Sequence, residues 1–66
     1  MNLVFEIVKS NVHEVLVEYN LIDEDVCEYF IEKTLNIINK NYNNHSGFEK
    51  DKEIIIKQIV RGLMVI

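Results

Sequence analysis

Residues 53–66 read EIIIKQIVRGLMVI, and their secondary structure determines whether the protein is all-helical or mixed. Three adjacent isoleucines are typical of a β-strand. However, Lys57, Gln58 and Arg61 interrupt the apolar residues at the spacing expected of a helix with one polar side. A Ser-x-x-Glu capping box that begins at Ser46 is typical of a helix start. The segment is therefore predicted to form the end of the last helix in an all-α protein.

A first helix is predicted over residues 3–19, where apolar side chains recur every three or four residues. Asn11 leaves an alternative open, because with Glu14 it also forms a capping box, which would make residues 3–8 a separate turn or strand. Asn20 follows, and asparagine readily takes the left-handed conformation that closes a helix. We expect one continuous helix that ends near Asn20.

The second helix is predicted to begin at three consecutive acids, because carboxylates in a first turn interact favourably with the helix dipole. Asp23 and Asp25 are equally good N-caps for this helix. The Asn-rich residues 41–47 are predicted to form the loop that follows. The sequence thus predicts a single domain, residues 1–66, folded as a three-helix bundle with helices at roughly 3–19, 24–42 and 47–64.

The small number of cysteines and histidines limits the disulfides and metal sites that the chain could form. Cys27 is the only cysteine, which excludes a disulfide within the chain and points to a reducing compartment or to a thiol with no redox role. His13 and His45 are far apart in sequence, so no metal cage is expected. The apolar runs are much shorter than the roughly 20 residues of a membrane-spanning helix, and the first residues do not resemble a signal peptide. We expect a cytoplasmic protein with no membrane anchor, cofactor or metal.

The apolar content exceeds what one small bundle is expected to bury. Hydrophobic residues make up 48% of the chain, although a domain of this size hides only about 60% of its unfolded surface. On the last helix, Ile55, Ile59 and Leu63 suffice for a core stripe, and the other apolar residues spread round more than one side. We therefore expect a second copy or another protein to contact this helix. The predicted partner interface consists of Ile56, Val60, Leu63, Met64 and Ile66.

No residue pattern indicates an enzyme. Cys27 and His13 are of the types that form a nucleophile and its base. However, Cys27 lies on the apolar stripe of the second helix, where cysteine usually serves as a small hydrophobic residue. The carboxylates at residues 23–28 are interrupted by Val26 and do not alternate as the oxygen ligands of a calcium loop do. Accordingly, no catalytic, cofactor-binding or metal-ligating residue is predicted.

Charge is distributed unevenly along the chain. Residues 1–28 contain seven acids and one base, whereas residues 29–66 contain six bases and four acids. The net charge of −4 has the wrong sign for binding nucleic acid, and the seven-residue loop is longer than the turn of a helix-turn-helix motif. The acidic first half of the chain either serves only to keep the protein soluble or forms a contact face for a basic protein partner. The predicted residues of this contact face are Glu14, Glu18, Asp23, Glu24 and Asp25.

The preferred hypothesis is a small acidic protein–protein interaction module that acts as an inhibitor, adaptor or regulator. The alternatives are a structural subunit of a larger homo-oligomer, such as a virion part, and a small DNA-binding regulator. Ile, Asn, Lys, Tyr and Phe account for 30 of the 66 residues, and Ala is absent. Because AT-rich codons encode this composition, we expect the source to be a low-GC host or one of its phages or mobile elements.

Overall fold

The computed structural model describes residues 3–42 and 46–65, without the side chains of Leu3, Ser46 and Gly47. Within these residues the chain is all-helical, and the helices pack into a compact bundle, which confirms the predicted fold class. None of the described helices has an apolar stretch long enough to cross a membrane. The helices are α1 (Leu3–Glu18), α2 (Glu24–Asn41) and α3 (Ser46–Met64).

Helix α1 is continuous, as predicted, and Asn11 does not interrupt it. The Asn11 side-chain amide donates to the carbonyl oxygen of Ile7, one turn earlier, at 2.8 Å. At the end of the helix, Asn20 takes the left-handed conformation with φ 60°. The backbone N–H of Leu21 then donates to the carbonyl of Leu16 at 2.9 Å. This bond closes a Schellman motif, which accepts asparagine at the left-handed position.

Asp23 is the N-cap of α2, which resolves the choice between the two aspartates. Its Oδ1 accepts hydrogen bonds from the backbone N–H groups of Asp25 at 2.9 Å and Val26 at 3.4 Å. Two of the N–H groups that the first turn leaves without helical partners are thereby satisfied. Glu24 and Asp25 follow in the first turn, where the helix dipole favours negative charge.

Helix α3 begins at Ser46 and bends at Asp51, which has non-helical backbone angles of φ −116° and ψ 24°. The short turn before the bend directs Phe48 into the core, where its ring centroid lies 5.8 Å from that of Tyr42. The predicted cap formed by the Ser46 side chain, and the part of the predicted loop at residues 43–45, lie outside what the structure describes.

Helix α1 is central to the core, because it packs against both α2 and α3. Helices α1 and α3 run parallel, since Glu14 pairs with Lys57 and Glu18 pairs with Arg61, each 43 residues further along. Helix α2 adds Ile38 and a buried threonine. The buried core residues are Val8, Val12, Val15 and Leu16 of α1, Thr34 and Ile38 of α2, and Phe48, Ile56 and Val60 of α3.

The rotation of α3 about its axis differs from the prediction. Ile56 and Val60 are fully buried, whereas Ile55, Ile59 and Leu63 are only half-buried. The buried stripe is therefore displaced around the helix from the predicted one. The two ion pairs with α1 are consistent with this rotation, because they bring the Lys57 and Arg61 side of α3 against α1.

Candidate interaction surface

The predicted partner interface on α3 includes residues of the buried inner stripe of the helix. Ile56 and Val60 have no exposed surface, so a partner that packs against the folded bundle does not reach them. Leu63 is half-buried, and Met64 is half-buried and packs against the core. Ile66 lies outside the described residues. The inner stripe of α3 is therefore already covered by the rest of the same chain.

The apolar residues that α3 exposes lie on its opposite side. Ile54 is 60% exposed and Val65 is 85% exposed. Ile54 lies on the side of α3 away from Ile56, and Val65 directly follows the last residue of the helix, Met64. Gln58 and Gly62 are exposed between them. We call Ile54, Gln58, Gly62 and Val65 the outer face of α3.

Gly62 is an unexpected residue at its position. It lies inside α3 and has no positive φ, so the backbone conformation does not require glycine. A Cβ atom built on it would have no atom of the described chain within 4 Å. Glycine inside a helix is about 1 kcal/mol less favourable than alanine. Gly62 therefore leaves this exposed position of α3 without a side chain at a cost to helix stability, and no described contact within the chain requires the missing side chain.

The predicted acidic contact face is largely engaged within the chain. The carboxylate of Glu14 lies 3.3 Å from Lys57 Nζ, and that of Glu18 lies 2.8 Å from Arg61 Nη2. Asp23 accepts the capping hydrogen bonds of α2. The other two predicted residues, Glu24 and Asp25, are exposed in the first turn of α2. The five acids thus do not form a uniform negative surface.

The ion pairs also bear on nucleic-acid binding. A DNA-binding third helix would present Lys50, Lys57 and Arg61 to the phosphate backbone. Lys57 and Arg61 instead contact Glu14 and Glu18 of α1, whose charges offset theirs. The positive potential on that side of α3 is reduced accordingly.

A groove of about 340 Å³ between α1 and α2 brings His13 and Cys27 to one surface. His13 is exposed, while Cys27 is half-buried and also packs against the core. This packing is consistent with the interpretation of the cysteine as a small hydrophobic residue. Among the residues that the structure describes, no three His, Cys, Asp or Glu side chains are grouped so that they could hold a metal ion. The groove is lined by Glu6, Lys9, Ser10, His13, Cys27 and Ile31.

The chain matches no known protein family, no curated protein sequence and no solved structure.

Sequence reasoning noted that Ile54 and Val65 lie off the core stripe, but it did not select them as interface residues. The equal spacing of charged residues on α1 and α3 could have identified Ile54 and Val65 as exposed. Two acids four residues apart on α1 pair with two bases four residues apart on α3. Pairing them in sequence fixes which side of α3 meets α1, and hence which side faces solvent.

Proposed function

We propose that the protein is a polypeptide-binding module whose contact surface is the outer face of α3. The observation that carries the proposal is that α3 exposes Ile54 on the side away from its buried stripe, and that the exposed Val65 directly follows the helix. Its inner stripe contributes Phe48, Ile56 and Val60 to the core, while Ile54 and Val65 stand in solvent. A helix that is apolar beyond one stripe is typically covered on its second side as well.

The chemistry of this surface fits a protein partner better than a charged ligand. Two aliphatic side chains flank the amide of Gln58 and the bare backbone of Gly62. Such a surface gains free energy by excluding water from apolar groups, at about 25 cal/mol per Å². The module therefore acts by binding, as an adaptor, inhibitor or regulator. We place it in the cytoplasm of a low-GC host or of a cell infected by one of its phages, on the grounds of composition.

Site-specific photo-cross-linking in the source cell tests this function. A diazirine amino acid is placed at Gln58, in the centre of the outer face, and in a matched variant at Asn36, an exposed position on α2. We expect a discrete cross-linked polypeptide from position 58 and none from position 36. Adding Ile54→Ser should remove that product. Equal labelling from both positions, or none from position 58, would contradict the proposal.

A further inference from the structure

Residues 17–22 expose an unusual number of apolar side chains. They comprise the end of α1 and the turn that leads into α2, and they contain four of the eight large hydrophobic side chains that are exposed in the described part of the chain. Apolar side chains that are exposed singly are ordinary, whereas a contiguous group of them is typical of an interaction site. We call this group the turn patch, and its members are Val17, Tyr19, Leu21 and Ile22.

The packing that usually accompanies helix caps does not bury the turn patch. In a Schellman motif, the apolar residue after the left-handed position, here Leu21, commonly packs back onto its helix. The residue before an N-cap, here Ile22, commonly packs against the residue five positions later, Cys27. Leu21 is nevertheless 42% exposed and Ile22 63% exposed. Most of the Ile22 surface is therefore not used by the fold of the described chain.

Capping on both sides fixes the backbone that carries the patch. Asn20 takes the left-handed conformation at the end of α1, and Asp23 accepts the N–H of Asp25 at 2.9 Å at the start of α2. Only Leu21 and Ile22 lie between these two capping positions. A partner that binds here has little backbone to order, and ordering is one of the main costs of association.

The surroundings of the turn patch are acidic. Residues 10–32 contain seven acids and no lysine or arginine. Glu24 and Asp25 follow the patch in the first turn of α2, where both are exposed and neither forms an ion pair with another described residue. The patch thus combines apolar side chains with neighbouring carboxylates whose charge is not offset by a base of the described chain.

We propose that the turn patch is a docking site for a polypeptide segment that combines aliphatic and basic side chains. The aliphatic side chains pack on residues 17–22, and lysine or arginine side chains pair with Glu24 and Asp25. Charge complementarity favours this occupant, because a second copy of the chain would bring like charges together and an anionic membrane surface would repel the acids. The inference goes beyond the proposed function, because no residue of the turn patch belongs to α3.

A synthetic amphipathic helix of leucine and lysine tests the docking site, and the same peptide with glutamate in place of lysine is its control. In fluorescence anisotropy, we expect saturable binding of the lysine peptide that weakens as salt is added, and no binding of the glutamate peptide. Ile22→Ser should weaken binding by about tenfold or more, because one aliphatic side chain is no longer buried. Ile54→Ser is the matched control, since Ile54 is 60% exposed, and it should leave the affinity unchanged.

Neutralising the acids beside the patch separates docking from the general attraction of a basic peptide to an acidic protein. Glu24→Gln combined with Asp25→Asn should weaken binding several-fold and reduce its dependence on salt. Glu6→Gln combined with Glu53→Gln removes the same charge from exposed positions on α1 and α3, and it should have a much smaller effect. Circular dichroism verifies that each variant is folded. Equal effects of the two double variants, or of Ile22→Ser and Ile54→Ser, would overturn the inference.

Backbone amide chemical shifts locate the bound lysine peptide. Changes centred on residues 17–25 support the inference, whereas changes centred on the outer face of α3 would overturn it and support the proposed function. No binding at millimolar protein would also overturn it, as would a dimer, or attachment to phosphatidylcholine vesicles, that Ile22→Ser abolishes. The photo-cross-link from position 58 tests the outer face separately, so either proposal can fail while the other stands.

Discussion

Helices α1 and α2 have similar lengths but contribute very differently to the core. Helix α1 buries four aliphatic side chains completely, whereas α2 buries only Ile38 and Thr34. Each of these two helices also buries one polar atom without a hydrogen-bond partner among the described residues, Oδ1 of Asn11 in α1 and the hydroxyl oxygen of Thr34 in α2. Helix α1 also makes two ion pairs with α3. The difference indicates that α1 is the central helix of the bundle, because it packs against both α2 and α3, and that α2 contributes mostly half-buried side chains to the core.

The largest expected effect follows from truncating the α1 side of the core. Leu16 is fully buried, and Leu16→Ala should lower the free energy of unfolding by about 2–5 kcal/mol, because the substitution loses burial and leaves a cavity. Urea denaturation followed by circular dichroism measures the change. The control is Leu35→Ala on α2, a half-buried leucine, for which we expect a loss of less than about 2 kcal/mol. An equal loss at both positions would remove the distinction between the two helices.

Thr34→Val should stabilise the protein, because it removes a buried hydroxyl from α2. The valine has the same shape but lacks the hydroxyl that is buried without a partner. We expect the free energy of unfolding to rise by about 1–2 kcal/mol. For a domain of this size, each kcal/mol raises the thermal midpoint by about 4–8 °C. Thr34→Ser keeps the hydroxyl and loses a methyl group, so it should be destabilising. A destabilised valine variant would show that the hydroxyl makes a useful hydrogen bond.

Loss of the N-cap should affect α2 without affecting α1. Asp23→Ala removes the acceptor for the N–H groups of Asp25 and Val26 and should lower the free energy of unfolding by about 1 kcal/mol. Amide hydrogen exchange should accelerate at these two residues and remain unchanged in α1. Asp23→Asn is the control, because asparagine caps equally well. The prediction is contradicted if asparagine and alanine behave alike.

The smallest expected effect concerns the ion pair between Glu18 and Arg61. Both side chains are about half exposed, so a double-mutant cycle with Glu18→Gln and Arg61→Met should give a coupling energy of about 0.2–1 kcal/mol that decreases as salt is added. A parallel cycle that replaces Glu24 instead of Glu18 should give a coupling near zero. A coupling that is insensitive to salt would mean that the two residues interact through packing and not through charge.

The sequence was sufficient to predict the three helices and where they end. Local chemistry sets these features, so neighbouring residues contain the information. Asn20 takes the left-handed conformation and Asp23 caps α2, as their residue types indicated. Between two adequate caps, Asp23 and Asp25, sequence reasoning left the choice open, because either satisfies the first-turn N–H groups equally well.

The rotation of α3 was not predictable from apolar periodicity alone. Adjacent isoleucines at Ile54, Ile55 and Ile56 occupy three directions round the helix, so several stripes fit the pattern equally well. Only the contact with α1 selects Ile56 as the core residue. The predicted interface residues were chosen from the predicted rotation, and two of them, Ile56 and Val60, are therefore buried residues of the core. Nothing in the sequence signals the bend at Asp51.

The parallel arrangement of α1 and α3 has a consequence for synthesis on the ribosome. Within the bundle, α1 leaves the exit tunnel well before its partner α3, because the paired side chains lie 43 positions apart in the chain. A nascent chain that stops after α2 lacks Phe48, Ile56 and Val60, and it leaves the apolar stripe of α1 exposed to water. The bundle therefore acquires its native structure only once α3 has left the exit tunnel, and a product truncated before α3 should be a target for chaperones and proteases.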